Sequence, residues 1–472
     1  MKKLFELCKG IEIKDNNLSE NYTIRGVAVN SLSVGEDFLF FVTEGNEKYI
    51  DDAIKRGAKV LVAEKAHPEY QYVVVDDVRK SMAVICSNFF DNPQNKLKIV
   101  GVVGTNGKTS ITHLLKNIFI ATSKTATIGT LGVYIGDVKI DDCLTTPDPT
   151  ELFKYLAIFV ERQVEYVFAE ISAHGIYYKK FYGIKCDVCV FTNISQDHLD
   201  FFENMEKYAN TKLGYFSSKN VKIAVVNADD NFSKTILNNA DICSVSYGID
   251  NPSDVFAVEI NQQKNLNFFL NVFDDVGYVN TQLVGKFNVY NLLAAIAVAR
   301  ILGLSTRYII DRIKDIAPIL GRLNTVCYNP RVIIDYAHTP DGLKSVLMTV
   351  KEFCKGKLIA VFGCGGNRDK TKRPIMARIG CENADVCIFT TDNPRYESPS
   401  SIIDDMLEGV KDFDNYLVIE NRTDAINLAI KAAENNDCVV ICGKGGENYI
   451  ETQGRRLPYS DFDAVDKAKN FA

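Results

Sequence analysis

The residue types able to do chemistry in this chain cluster in a few short runs, and the first is Gly104-Thr105-Asn106-Gly107-Lys108-Thr109-Ser110. Glycines let backbone N–H groups close around an anion, a lysine reaches the outer phosphates of a nucleotide, and a hydroxyl serves Mg2+. The usual spacing, G-x-x-x-x-G-K-[ST], is broken, because position 102 is valine. A loop one residue shorter, turning at Gly104, keeps the same cradle. Magnesium opposite that cradle needs oxygen or imidazole ligands. Glu170, in YVFAEISAHG, and Asp197-His198, in VCVFTNISQDHLDFF, are of the right type. Taken singly, Glu170 reads equally as a surface acid and His198 as a loop hydrogen-bonder. Their position after the loop in one α/β unit is what points to a metal.

Four further runs, DYAHTPDGL, FGCGGNRDKTKRP, TTDNPRYESP and CGKGGENYI, each follow an apolar strand. Two carry glycine pairs that admit close backbone approach, and three carry a basic residue able to grip a carboxylate or phosphate. Singly each is an ordinary turn between strand and helix. Together, on one edge of one sheet, they read as a binding site.

Such loops need parallel sheets to hold them. Short apolar runs alternate with helix-like segments throughout, the pattern of α/β domains. The 472 residues divide into three blocks. Residues 1–95 form a small α/β domain with DFLFFV, AKVLVAE and YQYVVV as strands, ending at the polar joint NPQNK. Residues 96–320 form a central phosphate-loop domain with a parallel sheet, entered by KIVGVVG and closing after GKFNVYNLLAAIAVARILG, a helix with an apolar stripe. Residues 321–472 form a Rossmann-like α/β domain.

Composition limits the partners. Net charge is −6 with the signs interleaved, which argues against broad nucleic-acid binding. No apolar run reaches the length of a membrane span, and the N-terminus shows no signal peptide. The 13 cysteines, odd in number and scattered, fit reduced thiols in a cytoplasm. Cys186 and Cys189 match C-x-x-C but lie in a predicted strand. Residues three apart there point to opposite faces, so they read as core cysteines.

GTNGKTS, TTPDPTEL, TNISQDHLDFF, GKFNVYNLLAA, DYAHTPDGL, FGCGGNRDKTKRP and DNPR occur in that order. Taken together they resemble the Mur ligase family over nearly the whole chain, and within it the branch that adds the third amino acid of the peptidoglycan stem. The resemblance implies a cytoplasmic, ATP- and Mg2+-dependent amide ligase, a monomer acting on small molecules. It would phosphorylate the D-glutamate carboxylate of UDP-MurNAc-L-Ala-D-Glu and join the acyl group to meso-diaminopimelate. Lys108 would mask phosphate charge, and Thr109, Glu170 and His198 would hold metal. Lys212, by its residue type a solvated helical lysine, matches the family lysine that is carbamylated and so joins the metal site. Asn288 and Asn291 match residues near adenine, and Arg322 and Asp335 match third-domain residues that reach ATP. Arg368, Asp392, Asn393, Pro394, Arg395, Gly443 and Glu447 match the amino-acid pocket. There Arg395 would pair with the distal carboxylate and Glu447 with the distal ammonium.

The UDP-sugar side is implied by Ser31, Thr145, Thr146, Ser172, Tyr178 and Lys180, and here the chain departs from the family. Leu32 stands where arginine is usual, Tyr178 replaces glutamine and Lys180 replaces arginine. Phe202 and Gly446 each replace a histidine. The other readings are a divergent paralogue with another carboxylate acceptor, a lysine-adding ligase, a folylpolyglutamate-synthase-like ligase, and a non-catalytic relative that kept the fold.

Overall fold

Every residue of the run Lys98–Val103 after its lysine is buried. A strand apolar on both faces belongs inside a parallel sheet covered by helices on both sides. In the computed structural model, which describes residues 1–262 and 266–470, it lies in the interior of the central sheet. Tyr166–Ile171 pairs with it in parallel on one side and Cys186–Phe191 on the other. Parallel pairing continues outward to Thr125–Gly129 on one flank. On the other it runs through Val221–Asn227 and Cys243–Gly248 to Val255–Asn261.

Antiparallel strands extend both ends, which the reading of the sequence did not anticipate. Gly132–Ile135 and Val138–Asp141 lie beyond Thr125–Gly129. Leu266–Val272 and Asp275–Thr281 lie beyond Val255–Asn261. Leu266–Val272 alternates fully buried with more open residues, as a strand covered on one face does. The helix Lys286–Ile301 has no stripe either. It is buried all round from Asn291 to Ala299, because it packs on helix Lys108–Phe119 and on several strands of the sheet.

The N-terminal sheet runs Ile13–Asn16, Tyr72–Val75, Ala58–Ala63, Phe38–Phe41, Gly26–Ala28, parallel except for its first strand. Its helix Val78–Phe89 is capped by the Asp77 carboxylate, which accepts from Lys80 N at 2.9 Å. That helix packs on Pro149–Glu161 of the central domain, and both feed one continuous apolar cluster. The C-terminal sheet runs Asn324–Tyr328, Arg331–Asp335, Cys438–Cys442, Leu358–Phe362, Val386–Phe389, Tyr416–Val418. Only its first strand is antiparallel.

The cysteine pair differs from expectation. Cys186 and Cys189 belong to the same apolar cluster, and both sulfurs crowd the space a side chain on Gly101 would fill. Strand alternation is therefore not kept at the start of Cys186–Phe191. Both thiols are nonetheless buried core groups, and no disulfide joins any of the thirteen cysteines. Among the described residues no helix is long and apolar enough to cross a membrane.

Candidate active site

Between strand Lys98–Val103 and helix Lys108–Phe119 only four residues remain, Gly104 to Gly107. Neighbouring strand ends hold this short loop. Thr105 N donates to Asn193 O at 2.8 Å, Asn106 N to Asn193 Oδ1 at 2.9 Å, and Thr192 Oγ1 to Asn106 O at 2.7 Å. A side chain on Gly104 would strike Thr192 Oγ1 at 1.7 Å, and Gly107 adopts φ +90°, so both glycines are required by their surroundings. Lys108 folds back on its own loop, its Nζ donating to Gly104 O at 2.9 Å and Thr105 O at 2.8 Å. Burial lowers its pKa, opposed by Glu170 and Asp197.

Thr109 Oγ1 donates to Glu170 Oε2 at 2.9 Å. Thr130, which the sequence reading missed, donates to the same carboxylate through N at 2.9 Å and Oγ1 at 3.1 Å. His198 adopts φ +56°, a conformation few non-glycine residues keep without support. Its ring stands edge-on to His174 at 4.8 Å, with Nε2 3.3 Å from Asp197 Oδ2. Burial pulls its pKa down to about 3, so at neutral pH the imidazole keeps a lone pair.

Lys212 is not solvated. It is 1% exposed, its Nζ donating to Thr105 Oγ1 at 2.9 Å and to Tyr208 OH. Burial, then the neighbouring Lys108, lowers its pKa well below the ordinary lysine value. A lysine whose ammonium form is disfavoured and which is directed at the phosphate loop is not a surface cation.

Two cavities open at this loop. The larger, about 470 Å³, is lined by Asn106, Gly107, Ser110, Asn291, Arg322 and Asp335 among others. Asn288 stands behind it, accepting from Asn291 Nδ2 at 3.1 Å. Asp335 is occupied more fully than expected. Its carboxylate accepts from Leu323 N and Ala337 N, each at 2.7 Å, and burial raises its pKa. It therefore ties its own loop together, while Arg322, stacked at 4.4 Å on Tyr336, faces the cavity.

The second cavity, about 280 Å³, joins Thr105, Lys108, Thr109, Glu170 and His198 to Arg368, Asp392, Asn393, Arg395, Gly443 and Glu447. Asn393 Nδ2 donates to Glu447 Oε2 at 2.9 Å. Lys444, fully buried, bonds both Asn393 Oδ1 and Glu447 Oε2 at 3.0 Å. Glu447 thus already carries a cation on one oxygen, and Lys444 is not free to grip a substrate. Asp392 Oδ2 is buried with no hydrogen-bond partner among the described residues. Pro394 lines neither of these two cavities; its carbonyl lies against Gly366.

The UDP-sugar residues gather less completely. Thr145 and Ser172 reach the second cavity. Thr146 Oγ1 bonds Glu170 O at 2.9 Å and Ser172 Oγ at 3.1 Å. Lys180 is buried and committed, donating to Thr146 O at 3.0 Å and paired with Asp148 at 3.3 Å. Tyr178 lies under the Arg79 guanidinium at 4.0 Å. Ser31 is buried against Asp52 in the N-terminal domain and lines neither cavity.

The C-terminal domain closes on the loop through contacts invisible in any one motif. Gln196 Nε2 donates to Asp369 Oδ2 at 3.2 Å and Thr371 Oγ1 at 2.9 Å. Lys372 Nζ meets Asp197 Oδ1 at 3.4 Å, both residues buried. Burial alone would raise the Asp197 pKa; Lys372, then His198 and His338, outweigh it and hold it low. Removing one partner of a buried pair costs about 3–5 kcal/mol. Opening the domains would rehydrate the orphan. Lys372→Ala is therefore expected to shift the chain towards an open form, seen as a larger radius of gyration in solution scattering. An unchanged scattering profile would refute this.

A phosphate loop and a second α/β domain facing one cleft define a nucleotide-dependent enzyme whose site lies between two domains. The chain belongs to the Mur ligase family: residues 102–299 match the Mur ligase middle domain and residues 321–445 the Mur ligase glutamate ligase domain. It is 40% identical to UDP-N-acetylmuramoyl-L-alanyl-D-glutamate–2,6-diaminopimelate ligase 1 of Clostridium acetobutylicum, over 97% of this chain and 95% of that one. It is 39% identical to the 2,6-diaminopimelate ligase of the same kind from Bacillus cereus, over 95% and 94%. A solved structure of such a 2,6-diaminopimelate ligase superposes with a TM-score of 0.70 and 29% identity, covering 100% of this chain and 99% of the other.

Proposed function

We propose that this protein is an ATP-dependent ligase that joins meso-diaminopimelate to the D-glutamate carboxylate of UDP-N-acetylmuramoyl-L-alanyl-D-glutamate, in peptidoglycan synthesis. One observation carries the reading. Lys108, Thr109, Glu170 and His198 open on the same cavity as Arg368, Asn393, Arg395 and Glu447, so a phosphorylated acid and an incoming amine can meet there. Proximity of that kind removes much of the entropic barrier to amide formation.

ATP fits the larger cavity, with its phosphates on the amides of Gly107 and Lys108 and the helix N-terminus behind them. Lys108 exchanges its two carbonyl partners for phosphate oxygens. The acceptor carboxylate takes the terminal phosphoryl group, and ADP leaves. The amine then attacks the acyl carbon, forming the amide and expelling phosphate. Arg395 pairs with the distal carboxylate, and the free Glu447 oxygen accepts from the distal ammonium.

The donor set suits Mg2+. Among the described residues no three His, Cys, Asp or Glu side chains form a metal cluster. Mg2+, however, commonly takes one or two carboxylates and completes its shell with phosphate and water. Glu170 and Thr109 would hold it, with His198 and a carbamylated Lys212 nearby. When bound, the ion neutralises phosphate charge.

The test is ADP release with UDP-MurNAc-L-Ala-D-Glu and meso-diaminopimelate, each omitted in turn. Release needing both is expected, with L-lysine a poor substitute. Arg395→Lys, which loses the two-pronged grip, should raise KM for meso-diaminopimelate about tenfold while sparing that for ATP. A preference for L-lysine would reject the amino-acid assignment. Full activity with another acceptor would reject the acceptor.

A further inference from the structure

Glu451, on the strand Tyr449–Thr452, lines neither cavity, yet it holds a residue that does. Its Oε2 lies 3.2 Å from Arg395 Nε. Its backbone carbonyl accepts from Arg395 N at 2.9 Å, and Arg395 O accepts from Gln453 N at 2.6 Å. The strand therefore grips Arg395 by side chain and main chain together. Arg395 adopts φ +52°, a left-handed conformation that an arginine keeps only when its surroundings impose it. On its other side Nη1 donates to Gly366 O at 2.9 Å. A guanidinium presents five N–H donors in a rigid plane. With Nη1 hydrogen-bonded to Gly366 O and Nε ion-paired with Glu451, the plane is held at two points, and the Nη2 hydrogens and one on Nη1 remain for a ligand. The strand carrying Glu451 is itself backed by Tyr449, whose ring lies 4.4 Å from the Arg456 guanidinium.

We propose that Glu451 is a positioning residue that aims the Arg395 guanidinium and thereby sets the preference for an amino acid with a second carboxylate. The proposal rests on the reading of Arg395 given above. A long unpinned arginine would have to give up its rotamer freedom when substrate binds; Glu451 has removed that freedom beforehand. The glutamate's own charge opposes a second carboxylate, so its contribution lies in orientation, not attraction. It should therefore act on selectivity and leave phosphoryl transfer alone.

The experiment compares Glu451→Ala, Glu451→Gln and Arg395→Ala in the full chain, with thermal midpoints as a folding control. Glu451→Ala should raise KM for meso-diaminopimelate about fivefold, the scale of one partly exposed ion pair, with kcat and KM for ATP unchanged. Glu451→Gln keeps the length of the side chain and an oxygen facing Nε but loses the charge, and should restore part of the loss. If Glu451→Ala leaves KM for meso-diaminopimelate unchanged, or lowers kcat and raises every KM alike, the positioning role is refuted. If Arg395→Ala also leaves that KM unchanged, the underlying reading of Arg395 has failed. If Arg395→Ala raises it and Glu451→Ala does not, only the role of Glu451 is lost.

Discussion

Lys108→Ala is expected to lower the rate of ADP release by about three orders of magnitude while leaving the fold intact. A unit charge about 4 Å from a phosphoryl oxygen contributes roughly 4 kcal/mol at the effective dielectric of a partly screened site. At about 1.4 kcal/mol per decade that is close to a thousandfold. The benefit is larger in the transition state, where charge is spread over the transferring group, so kcat should fall more than KM for ATP rises. Stability should change little. The lysine is half-buried, burial already disfavours its charge, and its partners are two carbonyls of its own loop. ADP release within tenfold of wild type, at matched thermal midpoints, would remove Lys108 from the mechanism.

This site is legible in sequence where chemistry coincides with backbone geometry. Gly104 and Gly107 are needed because a neighbouring strand end and a helix leave no room for side chains, so the loop advertises itself between an apolar run and an amphipathic one. Glu170 is legible for the same reason, since it ends the strand beside the loop. What stayed hidden depends on which distant groups meet. Asp197 and Lys372 are 175 positions apart, and nothing local marks either as the other's partner. Lys444 looks like a cation awaiting a substrate until Asn393 and Glu447 are found around it. Asp335 reads as a ligand residue, yet two backbone amides of its own domain take its oxygens. The outer antiparallel strands escaped because polar residues interrupt them, unlike the continuous apolar runs at the centre. The departures on the UDP-sugar side take a physical form as well: Lys180 is turned inward to Thr146 and Asp148, and Tyr178 is turned towards Arg79.

Lys212 is the position where residue type misled most, and its replacement should be nearly as damaging as that of Lys108. In the polar segment YANTKLGYF a lysine belongs in water, but here it is buried against Thr105 and Tyr208 with its ammonium form disfavoured. An uncharged amine reacts reversibly with CO2, forming an N–C bond and releasing one proton to solvent, and the resulting carbamate is an anion suited to the metal side of the phosphate site. Lys212→Met keeps the length and the apolar stem and removes both forms. The expected loss in kcat is about 10²–10³, the scale for one electrostatic partner of a transition state. Wild type in CO2-depleted buffer should lose activity and regain it on addition of bicarbonate, whereas the variant should not respond. Stability supplies an independent reading. With CO2 removed, the unfolded chain protonates Lys212 at neutral pH and the folded chain resists doing so. The unfolded state then binds more protons, and stability rises with pH up to the ordinary lysine range near 10, by at most about 1.4 kcal/mol per pH unit. Lys212→Met should flatten that rise in urea midpoints measured between about pH 7 and 10. An identical slope in the variant, together with activity indifferent to CO2, would return Lys212 to a purely structural role.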